Sequence, residues 1–164
     1  MIVLKRSAYA AVLVLLLTVF SMFAVFFDLI ELHILVGSYY IHHWLSWTGT
    51  LFVAVFTPIY YWMKRHRQGS LKNLLRVHVF GNLFAFMFVS IHFTQQMSRP
   101  AQFFPHLGTG VVLYPTILLL VATGFISRFL TYKKKKAIRF IHVALTLTFY
   151  LTIIVHILHG IEII

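Results

Sequence analysis

The chain has 164 residues, 60% of them hydrophobic and only 10% charged, whereas a soluble domain carries about 25% charged residues; this composition excludes a water-soluble globular protein. The formal net charge of +11, from 14 Lys and Arg against 3 Asp and Glu, would suggest nucleic acid on a soluble chain, but 17 Phe and a mean hydropathy of +0.89 point to a bilayer. The absence of cysteine removes disulfides, iron–sulfur clusters, thiolate zinc and covalently attached c-type haem together, and it leaves ten histidines as the candidate ligands of a metal or cofactor.

A membrane-crossing helix needs about 20 mostly apolar residues. Five stretches meet that length, so the expected fold class is all-α, an integral membrane bundle of five transmembrane helices forming one domain over residues 1–164. The first covers about 7–30. Lys5 and Arg6 ahead of it resemble the basic region of a signal peptide, but its apolar stretch is too long and no A-x-A-like cleavage site follows, so it is read as retained. The second covers about 41–63; it opens on His42 and His43 among Tyr39, Tyr40, Trp44 and Trp47, and closes on Tyr60, Tyr61 and Trp62. The third, about 77–97, contains His78 and His92. The fourth covers about 108–130, and the fifth, about 137–161, contains His142, His156 and His159. The connections are short, which makes successive helices antiparallel neighbours. Aromatic residues gather where an interfacial girdle is expected, with Tyr132 joining the Tyr60 group.

The basic residues orient the bundle. Lys5 and Arg6 precede the first span; Lys64, Arg65, Arg67, Lys72 and Arg76 lie around the connection between the second and third. Arg128, Lys133, Lys134, Lys135, Lys136 and Arg139 lie around that between the fourth and fifth. With five crossings, 13 of the 14 fall on one side. Cytoplasmic loops carry the Lys/Arg excess, so the amino terminus is expected inside and the carboxyl terminus outside, in a multi-pass protein of the plasma or inner membrane. Arg99 alone breaks the rule, on the side that also holds Asp28, Glu31 and Glu162.

Ionisable groups within membrane spans are functional candidates by default. His78 and His92 are 14 positions apart, and so are His142 and His156. At roughly 100° per residue, 14 steps return to within about 40° of the starting direction, so each pair projects from one helix face. At 1.5 Å per residue the two histidines of a pair lie about 21 Å apart along the axis, one near each membrane surface. The third and fifth spans run in the same direction, which puts His78 at the depth of His142, and His92 at that of His156. Two such pairs can each supply two axial nitrogens to an iron, in the way bundles build cofactor sites from facing helices. His159 competes with His156 but is rotated about 100° from His142. A lone membrane histidine is more often a packing residue; four at one repeated spacing are harder to produce by accident.

Weaker candidates accompany these ligands. Gly81, one turn after His78, would leave room for a flat macrocycle, and Phe149, midway between His142 and His156, would fill the space between two haems, although plain packing explains it equally. Arg76 and Arg139, with Lys72, lie near the inner pair and can bind haem propionates by charge-assisted hydrogen bonds, or act only as topology charges. Gln95, Gln96, Arg99 and His106 hold the corresponding positions near the outer pair. His42 and His43 fit the polar headgroup region, with metal binding or proton transfer near a quinone as the other readings; His33, His106 and His159 carry no assigned role. His66 only adds charge to a basic connection.

On these H-x13-H pairs, His78/His92 and His142/His156, the chain resembles the ferric reductase-like transmembrane domain over about 78–156. That superfamily includes NADPH oxidases, metalloreductases and the bacterial haem-binding partner of periplasmic methionine sulfoxide reductase. The resemblance implies two non-covalent b-type haems with bis-histidine ligation on the third and fifth helices, along which electrons cross the membrane. Those relatives usually have six spans, often followed by a flavin and nicotinamide domain, whereas five are expected here. No G-x-G-x-x-G motif is present. The chain thus looks like a membrane electron wire that depends on a separate redox protein or on quinone, surrounded by lipid and without a nucleic-acid partner. It is more loosely similar to the cytochrome b subunits of hydrogenases, formate dehydrogenases and heterodisulfide reductases, which makes a membrane anchor of a quinone-linked oxidoreductase the alternative. A histidine-based proton or ion transporter without haem is the alternative from another class.

Overall fold

The computed structural model describes residues 2–66, 70–100, 102, 108–130 and 135–160. The architecture is helical, with five long helices: α1 (Ile2–Phe26), α2 (Ile41–Arg65), α3 (Leu71–Met97), α4 (Gly110–Phe129) and α5 (Lys135–Gly160). One small addition departs from the all-helical expectation: a hairpin of two two-residue strands, β1 (Leu35–Val36) and β2 (Tyr39–Tyr40), precedes α2. Its strands pair antiparallel, Leu35 with Tyr40 and Val36 with Tyr39. Gly37 takes the positive φ of 67° that the first position of such a two-residue turn demands.

Four helical stretches, Arg6–Phe26, Leu71–Met97, Gly110–Phe129 and Lys135–His159, are long and apolar enough to cross a membrane. α2 is as long as α1, at 25 residues, but falls short in apolarity because His42, His43, Ser46, Thr48, Thr50, Thr57 and three aromatic side chains with polar tips (Tyr60, Tyr61 and Trp62) dilute its aliphatic content. Lipid-compatible surface is plentiful on the other helices: Leu13, Leu16 and Phe20 of α1 and Val143, Leu147 and Leu151 of α5 are all exposed. Hydroxyls in these helices turn inward on their own backbone, as when Thr18 donates to the Val14 carbonyl (2.9 Å) and Ser90 to that of Phe86 (2.7 Å). That habit satisfies polar groups where no water is available.

α1 ends four residues before the expected limit of the first span. Asp28 sits in the left-handed region (φ 53°), its N–H donates to the Val25 carbonyl (3.2 Å), and the Leu29 N–H donates to that of Ala24 (2.8 Å). This pair of bonds is the Schellman termination, for which glycine is the usual residue; Asp tolerates it because its short polar side chain eases the left-handed conformation. α3, by contrast, begins six residues before the expected start of the third span, since Leu71–Arg76 continue the helix beyond the apolar stretch.

The chain divides into two compact units, residues 1–98 and 99–164. In the first, α3 packs against both α2 and α1. The α2–α3 contact is antiparallel along its length: His43 lies by His92, Gly49 by Ala85 and Phe52 by Gly81, and Tyr60 by His78. Gly49 allows the closest approach, since a Cβ there would stand 2.9 Å from the Ala85 carbonyl oxygen. In the second unit α4 and α5 pack together, likewise antiparallel, with Thr109 beside His156 and Thr123 beside His142.

Candidate metal centre

The second unit holds two histidine sites built alike. Thr123 donates its hydroxyl proton to the Leu119 carbonyl (2.8 Å), so its oxygen is left to accept, and His142 Nδ1 lies 3.0 Å from it. The bond therefore runs from Nδ1–H to Oγ1. That fixes the tautomer and leaves the Nε2 lone pair available to a metal. Thr109 occupies the N-cap of α4 but makes no capping bond with its side chain; its hydroxyl lies instead 3.0 Å from His156 Nδ1. A glycine follows each threonine. Gly124 and Gly110 admit the two imidazoles so closely that an added Cβ would stand 3.4 Å from His142 Cε1 and 3.3 Å from His156 Cε1.

Thr-Gly thus recurs on α4 at the interval that separates the histidines on α5: 109–110 and 123–124 against His156 and His142. These four residues were not among the candidate site residues, although the repeat is visible in the sequence. His159 lies beside Gly108, its Cδ2 3.4 Å from where a Cβ would be. Phe149, between the two histidines on α5, is buried at 3% exposure. Arg139 is exposed near the start of the same helix.

In the first unit, His78 is gripped on two sides. The Tyr60 ring stacks on it at 4.3 Å and 13°, and Asn82, one turn on, places its side-chain amide 3.1 Å from Nδ1. With the amide nitrogen facing Nδ1, Asn82 donates and Nδ1 accepts, the reverse of the bond that Thr123 makes with His142. Gly81 does leave a space, but the Phe52 ring occupies it, and an added Cβ would overlap that ring. Arg76 is exposed, and Arg99, at the start of the second unit, is half-buried.

His92 lies in different company from His78. Its ring is 5.6 Å from that of His42 and 5.3 Å from that of His43, and the three residues offer nitrogens within 4.8 Å of one another. His42 is wholly buried, so exposure to headgroups is not its situation. Around this cluster the expected aromatic group is assembled: Tyr39 meets Trp47 at 4.7 Å, Trp44 meets Trp47 at 5.2 Å, and Trp44 Nε1 donates to the Val36 carbonyl at 2.9 Å. His33 is tied to Gln95 at 3.1 Å. His106, with Arg67, Tyr132, Lys133, Lys134 and Glu162, lies outside the described residues.

These donors suit a transition metal. Neutral imidazole nitrogens are ligands for iron, zinc, copper and nickel, and a ligating histidine typically donates its other N–H to a neighbouring acceptor, a part the Thr123 oxygen is placed to play for His142. Compared with known protein families, curated proteins and solved structures, the chain matches none.

Proposed function

We propose that this chain is a membrane-embedded electron carrier, a b-type cytochrome holding two non-covalent haems. His78 and His142 would hold the inner one, and His92 and His156 the outer. The observation that carries this reading is the doubled Thr–His arrangement, in which Thr123 and Thr109 each lie 3.0 Å from Nδ1 of an α5 histidine, so that Nε2 is the nitrogen that would ligate iron. Two sites built on one 14-residue interval are what two cofactors at two membrane depths require.

Haem iron, when bound, supplies a one-electron ferric/ferrous couple. The chain supplies the rest. His142 and His156 give their Nε2 lone pairs, and the threonine oxygens hold those rings and raise their basicity. Tyr60 and Asn82 restrain His78. Arg76 and Arg139 stand at the ends that hold His78 and His142 and would pair with haem propionates there, while Phe149 packs the stretch between the α5 sites. Electrons enter from and leave to a separate protein or a quinone.

Five crossings with the amino terminus inside complete the proposal. α2 lies antiparallel to α3 from His43 to Tyr60, a rise of about 26 Å at 1.5 Å per residue, close to the roughly 30 Å of the hydrocarbon core. A non-crossing α2 would also put Lys64, Arg65, Lys72 and Arg76 outside, against the charge rule. The plasma or inner membrane is the expected site.

The test is the visible spectrum of detergent-purified protein, oxidised and dithionite-reduced. The expected result is a Soret band and a b-type alpha band with about two haems per chain, with His142→Ala and His156→Ala each removing one. A colourless protein from a haem-sufficient host would overturn the reading in favour of a histidine proton or ion relay.

A further inference from the structure

Three imidazoles converge at the hairpin end of the α2–α3 pair. The ring centroids of His42 and His43 are 4.3 Å apart, and those of His92 lie 5.6 and 5.3 Å from them. One nitrogen from each comes within 4.8 Å of the others. The surroundings align these rings: Tyr40 lies flat on His42 (5.7 Å, 11°), Tyr39 meets His43 edge-on (6.3 Å), and His42 Nδ1 faces the Leu32 carbonyl at 3.5 Å. Both tyrosines come from β2, whose position is set by the turn at Gly37.

Three imidazoles this close would repel one another as cations, whereas in the neutral form each offers a ring nitrogen to a metal. Neutral imidazole nitrogens select borderline divalent ions, whereas calcium and magnesium take oxygen ligands, and among the described residues no carboxylate belongs to the cluster. At a metal–nitrogen distance of about 2.0–2.1 Å, tetrahedral ligands stand roughly 3.4 Å apart. Small side-chain rotations close the remaining gap. Three histidines leave a fourth position for water or another ligand, as open metal sites do.

We propose that His42, His43 and His92 form a binding site for a divalent transition-metal ion of the zinc, nickel or copper kind. The site goes beyond the electron-transfer reading and does not rest on it. The two meet at His92, whose metal-binding nitrogen serves one centre at a time, so the ion and the outer haem exclude each other.

The test is a calorimetric titration of haem-free, full-length protein in detergent with Zn2+ alone, with Co2+ as a coloured substitute. One ion per chain is expected, with a four-coordinate, nitrogen-rich Co2+ spectrum. His42→Ala and His92→Ala are expected to weaken binding by more than the 10–100-fold typical of losing an outer-shell partner, while His33→Ala leaves it unchanged. Because His42 is buried, the half-buried His43→Asn serves as the variant least disturbing to the fold, with helicity checked by circular dichroism. Absence of saturable binding, or binding indifferent to all three substitutions, overturns the site. Added haem reports the competition: Zn2+-loaded protein is expected to take up one haem where ion-free protein takes up two. Uptake of two with the ion retained overturns the assignment of His92. A wild-type protein that binds no haem fails the cytochrome reading but leaves the Zn2+ titration fully readable.

Discussion

Thr123→Val isolates the hydrogen bond on which the inner α5 site depends. Valine keeps the shape of threonine and removes the oxygen that accepts from His142 Nδ1–H at 3.0 Å. In the wild type that oxygen is already committed as an acceptor, because its own proton goes to the Leu119 carbonyl. It therefore favours the tautomer whose Nε2 is free for iron. Without it, the ring keeps only its bond to the Leu120 backbone, and loss of one hydrogen bond costs about 0.5–1.5 kcal/mol. At 1.4 kcal/mol per decade this is about a 2- to 12-fold loss of haem affinity. The assay is a haem titration of haem-free protein followed at the Soret band, in a His156→Ala background that leaves one site. The midpoint potential should rise in the same variant, since a histidine without its acceptor donates less charge to ferric iron. Thr123→Ser is expected to restore both. Wild-type affinity and potential in Thr123→Val would refute the reasoning, and failure of Thr123→Ser would show that packing, not the bond, is what matters.

Gly49→Ala is expected to destabilise the first unit by about 1–3 kcal/mol, because the new methyl meets the rigid backbone of Ala85 at 2.9 Å; a lower thermal midpoint in detergent checks it. Gly81→Ala should cost a similar amount through the Phe52 ring, and a double-mutant cycle with Phe52→Ala should recover about 0.5–3 kcal/mol of coupling. The chain has no cysteine, so Ser38→Cys and Ser70→Cys can be labelled singly in intact cells with a membrane-impermeant thiol reagent. Five crossings predict that Ser38→Cys reacts and Ser70→Cys does not; reaction at both would place α2 on one side of the membrane.

Hydrophobic length was enough to locate all five helices to within about six residues at each end, since a run of about 20 apolar residues has few folded alternatives in lipid. The end of α1 was missed because an Asp, not a Gly, takes the left-handed position at residue 28. The hairpin was missed because two-residue strands leave no alternating pattern to read. Gly81 was legible as a place where bulk is absent, but not that Phe52 of another helix occupies it. That is a tertiary fact, set by the antiparallel register of α2 against α3. The gathering of His42 and His43 on His92 was hidden for the same reason, as α2 joins these residues only through packing. The threonines at 109 and 123 could have been found, had the histidine interval been sought on every helix.

That interval has a physical basis in helix packing. Fourteen residues are two heptads, and a straight helix drifts by about 20° per heptad from a strict 3.5-residue repeat. Two helices that stay in contact over such a distance take up the drift by coiling left-handedly, the geometry common to coiled coils and membrane bundles. Residues 14 apart then return to the same seam. On α4 and α5 they do: Thr123 meets His142 and Thr109 meets His156 at the same 3.0 Å, with Gly124 and Gly110 in matching contact. One packing solution is therefore used twice, about 21 Å apart along the axis at 1.5 Å per residue. A single structural histidine would need no such repetition. The two sites proposed at the two membrane faces would need it, because each would hold its ring with one nitrogen occupied and the other presented. The helix-packing repeat thereby sets the spacing of the chemistry, and shifting either helix by one residue would disrupt both sites together.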